Sequence, residues 1–208
     1  MDQTEITKSE VTRAETELSV IKKIMEDSRN IIADNGWHYI FWGISVTCAL
    51  IANYVMALSR VNMNYQGMMW FILMISTWIA ESIIERKIAK KRKVKTFAGK
   101  LLGSLWFAAG ISMFMFGFVG TITHAYNPIF ICPIISTMLG ATYIVSGAIQ
   151  QTRWLQLLSI GWWSGAIYTF LFPSVHTLLI FAIMMICFQV VPGIILYRKW
   201  KTNPVLAE

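Results

Sequence analysis

Charge is what this sequence has little of. Only 14% of its residues are Asp, Glu, Lys or Arg, where a soluble domain carries about 25%. Acids are scarcer than bases, and eight of the eleven fall within the first 36 residues. This excludes an ordinary soluble domain. The sequence also lacks enzyme motifs. It has no Gly-x-Ser-x-Gly, no His-Glu-x-x-His, no phosphate-cradling glycine loop and no pair of aspartates within an apolar run. Cysteine is sparse as well. Cys48, Cys132 and Cys187 all sit in apolar runs and match neither a disulfide framework nor a metal spacing. No cofactor and no metal are expected, and the protein reads as non-enzymatic. The first 36 residues lack the apolar segment of a signal peptide, so insertion is expected to be directed by the first true span.

What the sequence has instead is apolar length. Hydrophobic residues make up 56% of the chain, with nine Trp, twelve Phe and twelve Met. Six apolar runs lie near 37–58, 67–84, 100–122, 128–148, 154–172 and 177–197. Each approaches the roughly 20 helical residues that cross a hydrocarbon core. None shows the alternation of barrel strands, and an open sheet edge is excluded from lipid. The expected fold is all-α, a polytopic bundle of six transmembrane helices following an N-terminal amphipathic helix.

The domain reading follows. Residues 1–36 form a cytoplasmic segment. Thr7 to Glu10 reads as a capping box, followed by an apolar stripe through Val11, Ala14, Leu18, Ile21, Met25 and Ile32. Asp34-Asn35-Gly36 closes the helix, since Asn and Gly accept the left-handed conformation. Residues 37–199 form the membrane domain, with a polybasic loop at 85–99, and 200–208 are a tail. Seventeen of the eighteen Lys and Arg share one side if the N-terminus is cytoplasmic, leaving Arg60 outside. The positive-inside rule therefore puts both ends in the cytoplasm.

The second half repeats a hairpin. Trp106 to Ser112 opens a span, Asn127-Pro128 turns it, and Leu139-Gly140 to Ser146-Gly147-Ala148-Ile149 closes it. The pattern recurs as Gly161-Trp-Trp-Ser-Gly165-Ala166-Ile167, Phe172-Pro173-Ser174 and Val191-Pro192-Gly193-Ile194-Ile195, with a fainter copy starting at Trp42-Gly43-Ile44-Ser45. Three hairpin repeats are expected. Over about half the chain, this pattern resembles the HdeD-type acid-resistance membrane proteins. That resemblance implies a six-span fold and a role in acid or envelope stress, with no catalytic residues.

Candidate site residues are few. Glu81 is the single acid inside a span, and an intramembrane carboxylate is a functional candidate by default. Its alternative is an interfacial anchor one turn from Glu85-Arg86-Lys87. His38, at the same membrane level, approaches Glu81 if their helices pack, and the pair would respond to pH. His124 and His176 lie at outer span ends, as a metal or proton site or simply as interfacial histidines. Gln189 precedes Pro192, which frees a carbonyl and kinks its helix. Gly103, Gly110 and Gly117 share one face, and Gly161 and Gly165 form a Gly-x-x-x-Gly. Both sets read first as packing within the chain, and Gly161 with Gly165 alternatively as a homodimer face. Lys87, Lys90, Lys91, Arg92, Lys93 and Lys95 read as contacts to anionic lipid head groups. They lack interleaved aromatics, which argues against nucleic acid. Residues 1–36 offer a surface for a cytoplasmic protein partner or the bilayer.

The leading functional expectation is an acid- or envelope-stress or accessory protein of the inner membrane. Two alternatives stand: a small transporter or channel using Glu81 and Gln189, and a scaffold or sensor signalling through residues 1–36.

Overall fold

The computed structural model describes residues 13–22, 36–89 and 97–202. Among these residues there is no strand. Residues 13–22 form α1, exposed along its length, with Arg13 and Glu17 paired at 3.3 Å. The helices that follow are α2 (Trp37–Leu58), α3 (Met63–Ala89) and α4 (Phe97–Phe114), which runs on as a π segment (Met115–Gly120). A 3-10 turn (Pro128–Phe130) leads into α5 (Ile131–Ile149), and α6 is Arg153–Leu171. The last helix comprises α7 (Thr177–Met185), a second π segment (Ile186–Val190) and α8 (Val191–Thr202). The Thr7–Glu10 capping box, Asp34-Asn35, and Lys90, Lys91, Arg92, Lys93 and Lys95 lie outside the described residues.

Five stretches are long and apolar enough to cross a membrane: Trp37–Leu58, Met63–Lys87, Ala98–Gly120, Pro128–Ile149 and Thr177–Thr202. The expected fifth of six, α6, is 19 residues long and is not among them. Gln156, Ser159, Ser164, Thr169 and the indoles of Trp154, Trp162 and Trp163 dilute its Leu and Ile.

Helices α5 and α6 interlock along their length. A Cβ at Gly147 would lie 2.5 Å from Gln156 Cγ and 2.7 Å from the Gln156 backbone nitrogen, and Gly140 is covered by Trp163. Trp163 Nε1 donates to the Thr137 carbonyl at 3.2 Å, and Phe130 stacks on Phe170. The buried face of α6 is Leu155, Ser159, Trp162, Ala166 and Thr169, spaced three and four apart as one helical stripe requires. Trp162 is fully buried, with its ring against Tyr143, Phe181 and Phe188. Lipid is as apolar as these side chains, so what holds the helices together is close packing rather than escape from water.

The start of α2 is clasped by α8. Gly36 adopts φ 60°, the left-handed conformation expected from its sequence context, and caps α2. Gly36 and Gly193 let the two backbones approach, because a Cβ at Gly193 would meet Tyr39 Cβ and Ile40 Cγ1 at 2.8 Å. Pro192 has no N–H to offer the carbonyl four residues earlier. The expected kink takes the form of the wider π turn at Ile186–Val190, and the helix continues through it. The π segment of α4 leaves the Phe116 carbonyl to accept from the Tyr126 hydroxyl, while the Tyr126 ring covers Gly120. At the next turn the Asn127 side chain accepts from the Ile129 amide at 3.0 Å, with Pro128 at the first helical position.

Outside this core, α4 lies along α5 and α3 along α2, with Phe71 edge-on to Phe118. Both outer helices are sparsely covered: 6% of each apolar window is buried, against 44% for Pro128–Ile149.

Candidate functional site

Two joints fix the direction of the bundle. Gln150, past the end of α5, donates to the Tyr39 hydroxyl near the start of α2 at 3.3 Å. At the far end of α2, the Tyr54 hydroxyl pairs with His176 Nδ1 at 3.0 Å. The end where α2 begins is called the near end below.

At the near end, His38 stands between two carboxylates of α3. Its Nδ1 is 2.7 Å from Glu81 Oε1 and its Nε2 is 3.3 Å from Glu85 Oε1. Glu81 and Glu85 are four residues apart, so both side chains lie on the face of α3 that meets α2. Exposure grades along the cluster, with the side chains 17% exposed at Glu81, 31% at His38 and 61% at Glu85. Like charges at this spacing disfavour a helix by about 0.2–0.5 kcal/mol, and an imidazolium between them offsets that cost. An ionised carboxylate only accepts, and a neutral imidazole has one N–H. The Glu81 contact is a hydrogen bond, and the Glu85 contact attracts as an ion pair when the ring carries two protons. Arg86 and Lys87 complete the last turn of α3, where cations complement the helix dipole.

A second polar cluster lies on another side of α2, in the near half of the core. The Tyr143 hydroxyl donates to Gln189 Oε1, both residues being buried. Tyr39, Trp106 and Tyr143 pack mutually edge-to-face, with centroids 5.4–6.0 Å apart. The π turn aims Gln189 inward, against the bare backbone of Gly43. Wider turns of this kind recur at functional sites.

The expected site residues thus separate. His38 and Glu81 meet. Glu81 and Gln189 do not, because Gln189 lies beside Gly43 and the intervening turn of α2 carries His38 on a different face. His176 pairs with Tyr54, and His124 occupies an exposed turn with φ 54°. No group of three potential metal ligands forms among the described residues. Gly161 and Gly165 face Phe188 and Met184 of the same chain. At Gly103, Gly110 and Gly117 no heavy atom of the described residues lies within 4 Å of where a Cβ would sit, so these residues do not occupy that face. Lys87 is exposed on α3.

Sequence reasoning passed over Glu85, Tyr39, Tyr143, Gln150 and Trp106. Glu85 was discoverable, because its four-residue spacing from Glu81 places both on one face. The other contacts join residues as much as 111 apart in the chain, and no local pattern signals them.

Compared with known protein families, with curated proteins and with solved structures, the chain finds no match.

Proposed function

We propose that this chain is a non-enzymatic, six-span protein of a bacterial cytoplasmic membrane that responds to protons on the cytoplasmic side, acting as an acid-stress or accessory protein. The observation that carries this reading is the imidazole of His38 set between Glu81 and Glu85. A histidine changes charge between about pH 5 and pH 8, and here that change decides whether two helices share one or two polar ties.

The sixth span is α6. Helix α5 ends where α2 begins, and α7 begins where α2 finishes. The segment joining them must cross the bundle, and 19 helical residues reach about 28 Å. The side is assigned by charge. The near end takes the seventeen Lys and Arg expected inside, which places His38, Glu81 and Glu85 toward the cytoplasm. The hairpin resemblance to HdeD-type proteins supports the stress role. The transporter reading is disfavoured because Glu81 and Gln189 lie against different faces of α2 and the centre between α2, α5, α6 and α7 is filled by Leu50, Tyr143, Leu155 and Trp162.

The test is acid challenge of a host strain lacking the gene, complemented with wild type or with His38→Gln. Wild type is expected to restore survival and His38→Gln to fail at equal membrane abundance. Full rescue by His38→Gln would remove the proton-responsive role.

A further inference from the structure

Helix α3 is held to the bundle unusually lightly. Of residues 63–87 only Thr77 is buried. In its far half Phe71 rests on Phe118, and Trp70 packs against the core. In its near half Thr77 is buried, and among the described residues both charged contacts to α2 run to one side chain, His38. The rest of the near end is fastened independently of α3, through Gly36 on Gly193 and Tyr39 with Gln150.

We propose that His38 is a proton-operated latch for the cytoplasmic half of α3. This rests on the proton-responsive reading of the same cluster and adds what the proton moves. With two ring protons, His38 donates to Glu81 and pairs as a cation with Glu85, and α3 lies against α2. When one proton leaves, Glu85 loses the cation it pairs with. The two like charges on α3 then face each other without a cation between them. The half-helix swings away from α2 about the Phe71–Phe118 contact, carrying Arg86 and Lys87 with it. The latch is closed in acid and opens as pH rises through the histidine range.

Among the described residues, the charged groups facing His38 are Glu81 and Glu85 of α3. Helix α8 presents Gly193, Leu196 and Tyr197 to this end of α2. Past the end of α5, Gln150 bonds Tyr39, and Arg86 is exposed.

The test is hydrogen exchange, read by mass spectrometry, on the full chain in lipid nanodiscs at the two limits of the histidine range, about pH 5 and about pH 8. Rates are corrected for the intrinsic pH dependence of exchange. Amides of the cytoplasmic half of α3 are expected to be protected in acid and to open up to about fivefold more at the upper limit, the factor that a partly exposed ion pair supplies. His38→Gln is expected to open this segment at both pH values, and His38→Arg, a permanent cation, to protect it at both. Unchanged protection of α5 and α6 reports that each variant is folded. Equal protection of wild-type α3 at both limits, or a pH step that survives in His38→Gln, overturns the latch. If that happens while His38→Gln still loses acid survival, the latch falls and the proton-responsive role stands. A clear step with no effect on survival leaves the latch and removes the stress role.

Discussion

Two glycines on membrane helices, Gly193 and Gly110, offer opposite outcomes for the same substitution. A Cβ at Gly193 would lie 2.8 Å from Ile40 Cγ1, 2.8 Å from Tyr39 Cβ and 2.9 Å from the Ile40 backbone nitrogen. Favourable carbon contacts lie at about 3.5–4.0 Å, so α8 and α2 must part by roughly 0.7–1.2 Å. No rotamer relieves the contacts with Tyr39 Cβ and the Ile40 nitrogen, because the backbone fixes both atoms. Overpacking of this kind costs about 1–3 kcal/mol. Displacing Tyr39 also strains its bond to Gln150. At Gly110 nothing lies within 4 Å, so Ala adds no clash and gains up to about 1 kcal/mol of helix propensity. Unfolding of Gly193→Ala and Gly110→Ala in mixed detergent micelles, followed by circular dichroism, is the assay. Gly193→Ala is expected to unfold at lower denaturing-detergent fraction than wild type, and Gly110→Ala at the same or a higher one. Equal destabilisation by the two would refute the reasoning, because it would mean that the Gly110 face is covered within the chain.

Three further outcomes are expected. Trp162→Ala removes a fully buried side chain against Tyr143, Phe181 and Phe188. It is expected to cost about 3–5 kcal/mol in the same assay, and a loss below about 1 kcal/mol would contradict the packing described. Tyr143→Phe leaves Gln189 Oε1 buried without its donor, at a cost of about 1–3 kcal/mol. Adding Gln189→Leu should recover part of that loss, and a double variant whose loss equals the sum of the singles would show that the pair is not coupled. Cys132 is buried whereas Cys48 and Cys187 are exposed. An apolar maleimide on the folded protein in detergent should therefore modify the latter two and reach Cys132 only after unfolding, a difference that peptide mass mapping detects.

The apolar helices were legible in the sequence because membrane spanning is a summed property, insensitive to detail at any one residue. The left-handed conformation of Gly36 was legible for a local reason, glycine's tolerance of it, but its place at the start of α2 was not, because Asp34-Asn35-Gly36 reads as the end of the preceding helix. The common depth of His38 and Glu81 was legible, but that their helices pack and bring them to 2.7 Å was not. The glycines show the limit of such reasoning. Gly103, Gly110 and Gly117 carry the same small-residue signal as Gly161 and Gly165. Only the latter pair is filled by neighbours, Phe188 and Met184. Spacing tells which residues share a face, not what the face meets. The π turns were hidden for a different reason, since one arises next to Pro192 and the other, Met115–Gly120, has no proline within it. Glu85 was passed over because Arg86 and Lys87 made it look like an ordinary boundary charge.

The most direct test of the central claim is nitrogen-15 NMR of His38 in the full chain in a lipid bilayer, followed across about pH 5 to pH 8. The expected result is a ring protonated at both nitrogens in acid, with one proton lost before the upper limit and a shift of that transition in Glu81→Gln. A ring held in one neutral tautomer over the whole range, indifferent to Glu81→Gln, would contradict it.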